Sequence, residues 1–199
     1  VRLLCVAVSL LLPAGYIAMA AFHFGLMPTA LAESIAAARQ SVPFSPPLEV
    51  VVLLVAFEIL QEAGQRIPQL NGQSVSIIGS LVVGQAAVDA KLLSPVVVVV
   101  VAAAGIAGYT MPNQDLANAL RAVRLVLAVL ASFWGALGIV LGLGWICCHL
   151  ASLEPLGVPW LAPFAPDTPR AACDTTRVPV RRAKLREVFL RPEDRRNQR

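Results

Sequence analysis

Four polar side chains interrupt two consecutive hydrophobic segments of the chain. They are Glu58, Glu62, Gln85 and Asp89. Within each segment the two residues are four positions apart, so in a helix they lie on one face, one turn apart. Carboxylates and amides in hydrocarbon cost several kcal/mol unless they are paired or hydrated, and such residues commonly mark ion pathways. The pattern therefore predicts a cation-attracting vestibule at the two glutamates and a coupling or pore-lining position at Gln85 and Asp89.

An interfacial location of the same carboxylates is an alternative that the sequence leaves open. In that case Glu58 and Glu62 lie at the membrane surface beside Arg66. Asp89 would similarly pair with Lys91 at the interface. Gln85 lies deeper in its hydrophobic segment, so we expect it to hydrogen-bond a neighbouring helix.

Motifs for enzymatic chemistry are absent from the sequence. It contains no phosphate-binding glycine loop, nucleophile elbow, HExxH sequence or dinucleotide-binding glycine pattern. Cys147, Cys148 and His149 are adjacent, and neighbouring residues in a helix point about 100° apart, so they rarely share a metal. We therefore predict neither an enzyme nor a cofactor or metal site.

The composition indicates a membrane protein. Of the 199 residues, 57% are hydrophobic and only 14% are charged, whereas soluble domains carry about 25% charged residues. The mean hydropathy of +0.72 agrees with several membrane-crossing segments. We predict an all-α fold, namely a polytopic helical membrane domain of four to five membrane helices followed by a basic cytoplasmic tail.

Proline and glycine residues mark the ends of the predicted helices within residues 1–153, the predicted membrane domain. Pro47 and Pro95 suit the first turn of a helix, and Gly64 suits the position after a helix end. The predicted helices cover residues 3–22, 48–63, 73–90, 95–111 and 116–150.

Small residues recur on two of these helices at a spacing of three or four. Such stripes allow neighbouring helix backbones to approach closely. The predicted packing residues are Gly72, Ser76, Ser80 and Gly84 on one helix, and Gly135, Gly138 and Gly142 on another.

The tail, residues 154–199, is Pro-rich and then Arg-rich. From residue 167 onward it holds ten Arg or Lys and five Asp or Glu. Basic segments flanking membrane helices stay on the cytoplasmic side, and each basic residue adds about 1 kcal/mol of attraction to anionic lipid. We therefore predict a cytoplasmic C-terminus that contacts anionic lipid. No nucleic-acid partner is predicted, since the tail carries no binding motif or interleaved aromatic residues.

Counting spans backward from a cytoplasmic tail places residue 73 outside the membrane. Residue 66 and the start of the helix over 116–150 then also lie outside. If the N-terminus is cytoplasmic, the helix over 48–63 is re-entrant or lies along the surface, whereas five full spans would place the N-terminus outside. Arg66, Arg121 and Arg124 on the outer side conflict with the usual preference of basic residues for the cytoplasm.

Short motifs along the chain resemble the GerA-type family, the A subunits of spore germinant receptors. Their order and spacing match the family over nearly the whole chain, which corresponds to the membrane half of a typical member. The motifs are Phe57-Glu58-Ile59-Leu60, Glu62-Ala63-Gly64, Arg66, Pro68, Gly72-Gln73, Gly84-Gln85-Ala86-Ala87-Val88, Leu93-Ser94-Pro95, Pro112-Asn113 and Leu156-Gly157-Val158-Pro159. A large soluble region comes first in the family, so we expect this chain to be part of a longer protein.

The resemblance implies a spore inner membrane protein that works with a transporter-like B subunit and a lipoprotein C subunit. The A subunits would form a homo-oligomer and conduct monovalent cations when a nutrient is sensed. Gln61 departs from the Arg of many members, which alters how Glu58 and Glu62 are paired. The sequence leaves open a signal-amplifying paralogue, a small-solute secondary transporter and a non-conducting membrane scaffold.

Overall fold

The computed structural model of the chain describes residues 2–66, 84–111, 113–154 and 161. Every regular element in these ranges is a helix, which confirms the all-α prediction for them. The helices are α1 (Arg2–Ala21), α2 (Thr29–Arg39), α3 (Pro46–Arg66), α4 (residues 84–89), α5 (Pro95–Gly108), α6 (Gln114–Trp134) and α7 (Ala136–Ser152), with a short 3-10 turn at Phe24–Leu26. The predicted tail and the packing residues Gly72, Ser76 and Ser80 lie outside the described residues, apart from residues 154 and 161.

Helix α3 is longer than predicted at both ends. It has 21 residues and continues through Gly64 to Arg66, so the expectation that Gly64 follows the helix end is wrong. At a rise of about 1.5 Å per residue, α3 is about 31 Å long, close to the thickness of a bilayer core. Glycine lowers helix propensity by only about 1 kcal/mol, and the helix-favouring residues around it outweigh that.

Four helices, α1, α3, α5 and α6, pack together within the compact unit formed by residues 1–142. Most of the side chains buried between them are apolar. The buried side chains include Ile17 on α1, Leu54 on α3, Val97 on α5 and Leu127 on α6. Small residues, Ala14, Ala104 and Ala131 among them, let the helix axes approach closely.

Contacts between the helices define their relative directions. Ser9, early in α1, lies beside Gly108 at the end of α5, so α1 and α5 are antiparallel. Phe22, just after α1, packs on Gly135 at the end of α6, so α1 and α6 are parallel. The start of α3 contacts the start of α5 and its end contacts the end of α5, so α3 runs with α5. The beginnings of α1 and α6 and the ends of α3 and α5 therefore share one end of the bundle, which we call the Gln61 end.

The predicted continuous helix over residues 116–150 is interrupted at Gly135. Helix α6 ends at Trp134 and α7 begins at Ala136. Gly135 has φ of 58° and ψ of −132°, a conformation that glycine adopts without steric cost and other residues avoid. A Cβ at this position would also lie 2.8 Å from Phe22 Cγ. Gly135 is consequently the break between two helices, and its assignment to a packing stripe within one helix is wrong.

The other two predicted packing glycines lie where the first residues of α7 pass close to α6. A Cβ at Gly138 would lie 2.7 Å from the Leu130 carbonyl carbon. One at Gly142 would lie 2.5 Å from Leu127 Cδ2. As the position in α7 advances, its contact in α6 moves backward, so residues 136–142 run antiparallel to the end of α6.

Large apolar side chains are exposed on the outer surfaces of these helices. Val99, Ile106, Phe133 and Val140 are each at least 66% exposed. Two of the described helical segments, Leu3–Ala21 and Asp115–Trp134, are long and apolar enough to cross a membrane. In α7, Trp145 stacks on His149 with ring centroids 6.1 Å apart.

Candidate functional site

Helix α3 carries polar side chains on the face that packs into the bundle. Near its start, Glu49 has no exposed surface, and near its end Gln61 is only 9% exposed. Leu53, one turn after Glu49, is buried as well, so this part of the helix faces the other helices. The helix therefore brings a buried polar group to each end of the bundle.

The first contact at the Gln61 end is an ion pair between α3 and α6. Arg124 Nη2 donates to Glu58 Oε1 at 2.7 Å. The Arg124 side chain is 2% exposed and that of Glu58 27% exposed, so the pair is largely screened from water. Arg124 is therefore buried between the helices near the Gln61 end of the bundle.

A hydrogen-bonded chain extends from this ion pair to α5. Arg121 Nη1 lies 3.8 Å from Glu58 Oε2 and donates to Gln61 Oε1 at 2.5 Å. Gln61 Nε2 in turn donates to the Tyr109 hydroxyl oxygen at 3.0 Å. Arg121 also donates to Asn118 one turn earlier in α6. We call Glu58, Gln61, Tyr109, Asn118, Arg121 and Arg124 the α3–α6 cluster.

The α3–α6 cluster borders a pocket with a volume of about 170 Å³. The pocket lies between the ends of α1, α5 and α6, and Met111 in the connection after α5 also lines it. Its polar lining consists of Ser9, Gln61, Tyr109, Asn118, Arg121 and Arg124. Two guanidinium groups face one carboxylate, so the cluster has a formal surplus of one positive charge.

A second buried carboxylate lies at the opposite end of α3. Glu49 Oε2 accepts the backbone N–H of Ser94, the N-cap residue of α5, at 2.9 Å. Glu49 Oε1 lies 3.2 Å from Arg39 Nη2 at the end of α2. Glu49 is also in the first turn of its own helix, where a negative charge is favoured by the helix dipole. We call Glu49, Arg39 and Ser94 the α2–α5 cluster.

The four site residues predicted from the sequence lie in different surroundings. Glu58 belongs to the α3–α6 cluster, whereas Glu62 is exposed one turn further along α3. Gln85 and Asp89 are exposed on α4 and line a cavity of about 640 Å³ between α3, α4 and α5. Gln61 and Tyr109 border both this cavity and the smaller pocket, so they connect the two regions.

Arg124 and Glu49 are buried charged residues that were not among the predicted site residues. Helical spacing contains a signal for both. Arg124 is three residues before Leu127 and four before Ala128, both fully buried, so it lies on the packing face of α6. Glu49 is four residues before the buried Leu53. Their partners are 66 and 45 residues away along the chain, and helical periodicity carries no information about such pairings.

The bundle has apolar exposed faces and buried polar clusters, which are typical of a helical membrane protein. Residues 1–189 match the family described as Bacillus/Clostridium GerA spore germination protein. The chain belongs to this family, as the sequence motifs indicate.

Several proteins of known designation are similar to the chain. Spore germination protein KA of Bacillus subtilis (strain 168) is 40% identical over 194 residues, which cover 97% of this chain and 36% of that protein. The uncharacterized membrane protein YfkQ of the same organism is 38% identical over 190 residues, 96% of this chain and 34% of that protein. Spore germination protein XA of Bacillus anthracis is 34% identical over 195 residues, 98% of this chain and 40% of that protein.

The chain thus spans about a third of the length of the curated relatives it matches. No solved structure matches it.

Proposed function

We propose that this chain is the membrane domain of a germinant-receptor A subunit, which forms a homo-oligomeric cation channel with its B and C subunit partners in the spore inner membrane. The proposal rests on the distribution of side chains in this GerA-family bundle, which has apolar residues on its outside and charged residues between its helices. Large apolar residues such as Phe133 and Val140 face outward, while Glu58 and Arg124 pair between helices. That distribution suits hydrocarbon surroundings and a polar interior.

The reversal at Gly135 supports a different topology from the one obtained by counting spans in the sequence. The N-terminus of α1, the C-terminus of α3 with Arg66 and the arginines of α6 share the Gln61 end of the bundle. We assign this end to the cytoplasm, where basic residues are favoured. Helix α3 then crosses the membrane from outside to inside, and no re-entrant segment is required. Residues 136–142, which turn back at Gly135, then run toward the end that we assign to the cytoplasm.

The cation pathway in this proposal uses the exposed polar groups. Glu58 is compensated by Arg124 and Arg121, so its charge attracts cations only weakly, and we assign it a coupling role. Glu62 on α3 and Gln85 and Asp89 on α4 present polar groups on exposed faces. A bundle of this size is too narrow to enclose a wide pathway, so a pore needs several copies of the chain around an axis.

Cation flux through the full-length parent protein, reconstituted in liposomes with its partner subunits, tests this assignment. We expect the double variant Glu62→Gln/Asp89→Asn to lower potassium flux severalfold, because it removes two carboxylates from the pathway. Glu33→Gln is the matched control, because it removes an exposed carboxylate on α2, outside the proposed pathway. Equal flux in wild type and double variant, at equal protein incorporation, would rule out these pathway residues.

A further inference from the structure

The pocket beside the α3–α6 cluster has the features of a binding site for a small anion. Its volume of about 170 Å³ is close to that of engineered cavities of about 150 Å³ that bind benzene. A molecule of several non-hydrogen atoms therefore fits. Met111, in the connection between α5 and α6, forms part of the wall, so the pocket lies at the Gln61 end of the bundle.

The charge of the pocket favours an anion over a cation. Arg121 and Arg124 both line it, and Glu58 is the one carboxylate that the described part of the chain pairs with them. Arg124 is 2% exposed, and its Nε is a buried donor without a hydrogen-bond partner among the described residues. A buried donor left unpaired costs about 1–3 kcal/mol, which an acceptor bound in the pocket would recover.

The surplus of one positive charge points to a singly charged ligand. A carboxylate offers two oxygens in the plane that a guanidinium group recognises. The Asn118 and Gln61 amides and the Tyr109 and Ser9 hydroxyls supply further hydrogen-bonding groups around the wall. A doubly charged phosphate would be repelled by Glu58, because only one positive charge remains uncompensated.

We propose that the pocket lined by Arg121, Arg124, Asn118 and Gln61 binds a small monocarboxylate. Because the ligand would contact α1, α5 and α6 together with Gln61 of α3, its binding would favour the packed arrangement of these helices. Binding in this pocket can be measured separately from conduction, because neither Glu62 nor Asp89 lines the pocket.

Saturation-transfer NMR of acetate with the full-length parent protein in detergent micelles provides the test. Acetamide serves as the neutral probe of the same shape and inorganic phosphate as the dianionic one. We expect saturable acetate binding, no saturable acetamide binding, and displacement by phosphate only at more than tenfold higher concentration. Equal binding of acetate and acetamide would overturn the proposal, and so would phosphate binding as tight as acetate. Absence of saturable acetate binding would also overturn it.

Three variants locate the site. Arg121→Gln removes the surplus charge while leaving the Arg124–Glu58 pair, and we expect it to weaken acetate binding at least tenfold. Ala117→Leu fills part of the pocket without changing any charge and should also weaken binding. Lys91→Gln removes an exposed positive charge near the start of α5, at the opposite end of the bundle, and should leave binding unchanged. An equal loss in Lys91→Gln and Arg121→Gln would show attraction by overall charge and overturn the proposed site.

Discussion

Helix α3 carries a glutamate near each end that points into the bundle, and the two glutamates have different partners. In the α2–α5 cluster one carboxylate meets one arginine and one backbone N–H, and the carboxylate has no exposed surface. In the α3–α6 cluster one carboxylate meets two arginines, remains 27% exposed and borders a pocket. The first arrangement is balanced in charge and closed, whereas the second has surplus charge and free volume.

This difference separates a structural role from a functional one. Glu49 neutralises Arg39 and two helix N-termini, so its contacts hold α2, α3 and α5 together. Glu58 can compensate only one of its two arginines, so one positive charge stays uncompensated. Such a charge destabilises the fold, so stability of the fold does not account for its presence. The α3–α6 cluster is therefore the end of α3 at which we expect ligand binding and signal coupling.

The largest expected effect is that of Glu58→Leu. The substitution leaves Arg124 buried without its carboxylate, and breaking a buried ion pair in this way costs about 3–5 kcal/mol. Equilibrium unfolding of the full-length protein in mixed micelles measures the loss.

The double variant Glu58→Leu/Arg124→Met separates the cost of an unpaired charge from the cost of lost contacts. Replacing both partners of a buried ion pair by apolar residues is often close to neutral. We therefore expect the double variant to regain most of the stability that Glu58→Leu loses. A double variant no more stable than Glu58→Leu would mean that the pair is not the source of the effect.

We expect a smaller loss of stability from Ser94→Pro, in the α2–α5 cluster at the other end of α3. Ser94 has φ of −76°, which proline tolerates, but proline lacks the N–H that Glu49 accepts. A buried acceptor that loses its partner costs about 1–3 kcal/mol. Ser94→Ala keeps the N–H and is the control. The same unfolding experiment should show the larger loss for proline, and equal losses would count against the backbone bond as the main contribution of this residue.

The smallest effect is expected from Tyr109→Phe. It removes the hydroxyl that accepts from Gln61 Nε2 and leaves the ring in place. A single net hydrogen bond contributes about 0.5–1.5 kcal/mol. Because Tyr109 is 66% exposed, we expect the low end of this range in unfolding measurements. A loss as large as that of Glu58→Leu would mean that the hydrogen-bonded chain acts as one unit with the ion pair.

Local signals in the sequence describe some helices of this protein well. Helix α1, predicted over residues 3–22, covers Arg2–Ala21, and α5, predicted over residues 95–111, begins at Pro95 and ends at Gly108. A continuous apolar segment for α1 and a proline in the first turn for α5 mark these elements. Such signals depend only on neighbouring residues, so a single sequence suffices to read them.

The break at Gly135 and the two buried clusters depend on contacts between distant residues. Glycines are common inside membrane helices, so Gly135, Gly138 and Gly142 form the same pattern whether the helix continues or turns back. The turn is identified by the packing of Gly135 on Phe22, more than a hundred positions earlier. The sequence predicts that Glu58 and Glu62 on α3 act together. In the structure Glu58 pairs with the buried Arg124 of α6, whereas Glu62 is exposed, and this difference arises from a tertiary contact.

The most direct test of a functional α3–α6 cluster is potassium release from spores that lack the parent gene and carry the Glu58→Leu/Arg124→Met form in its place. We expect a normal level of the double variant in the spore membrane, since stability is regained, together with strongly reduced potassium release after nutrient addition. Spores that carry the wild-type gene provide the reference. Normal potassium release by the double variant would show that the ion pair serves only to hold the helices together, and the cluster would then have no functional role.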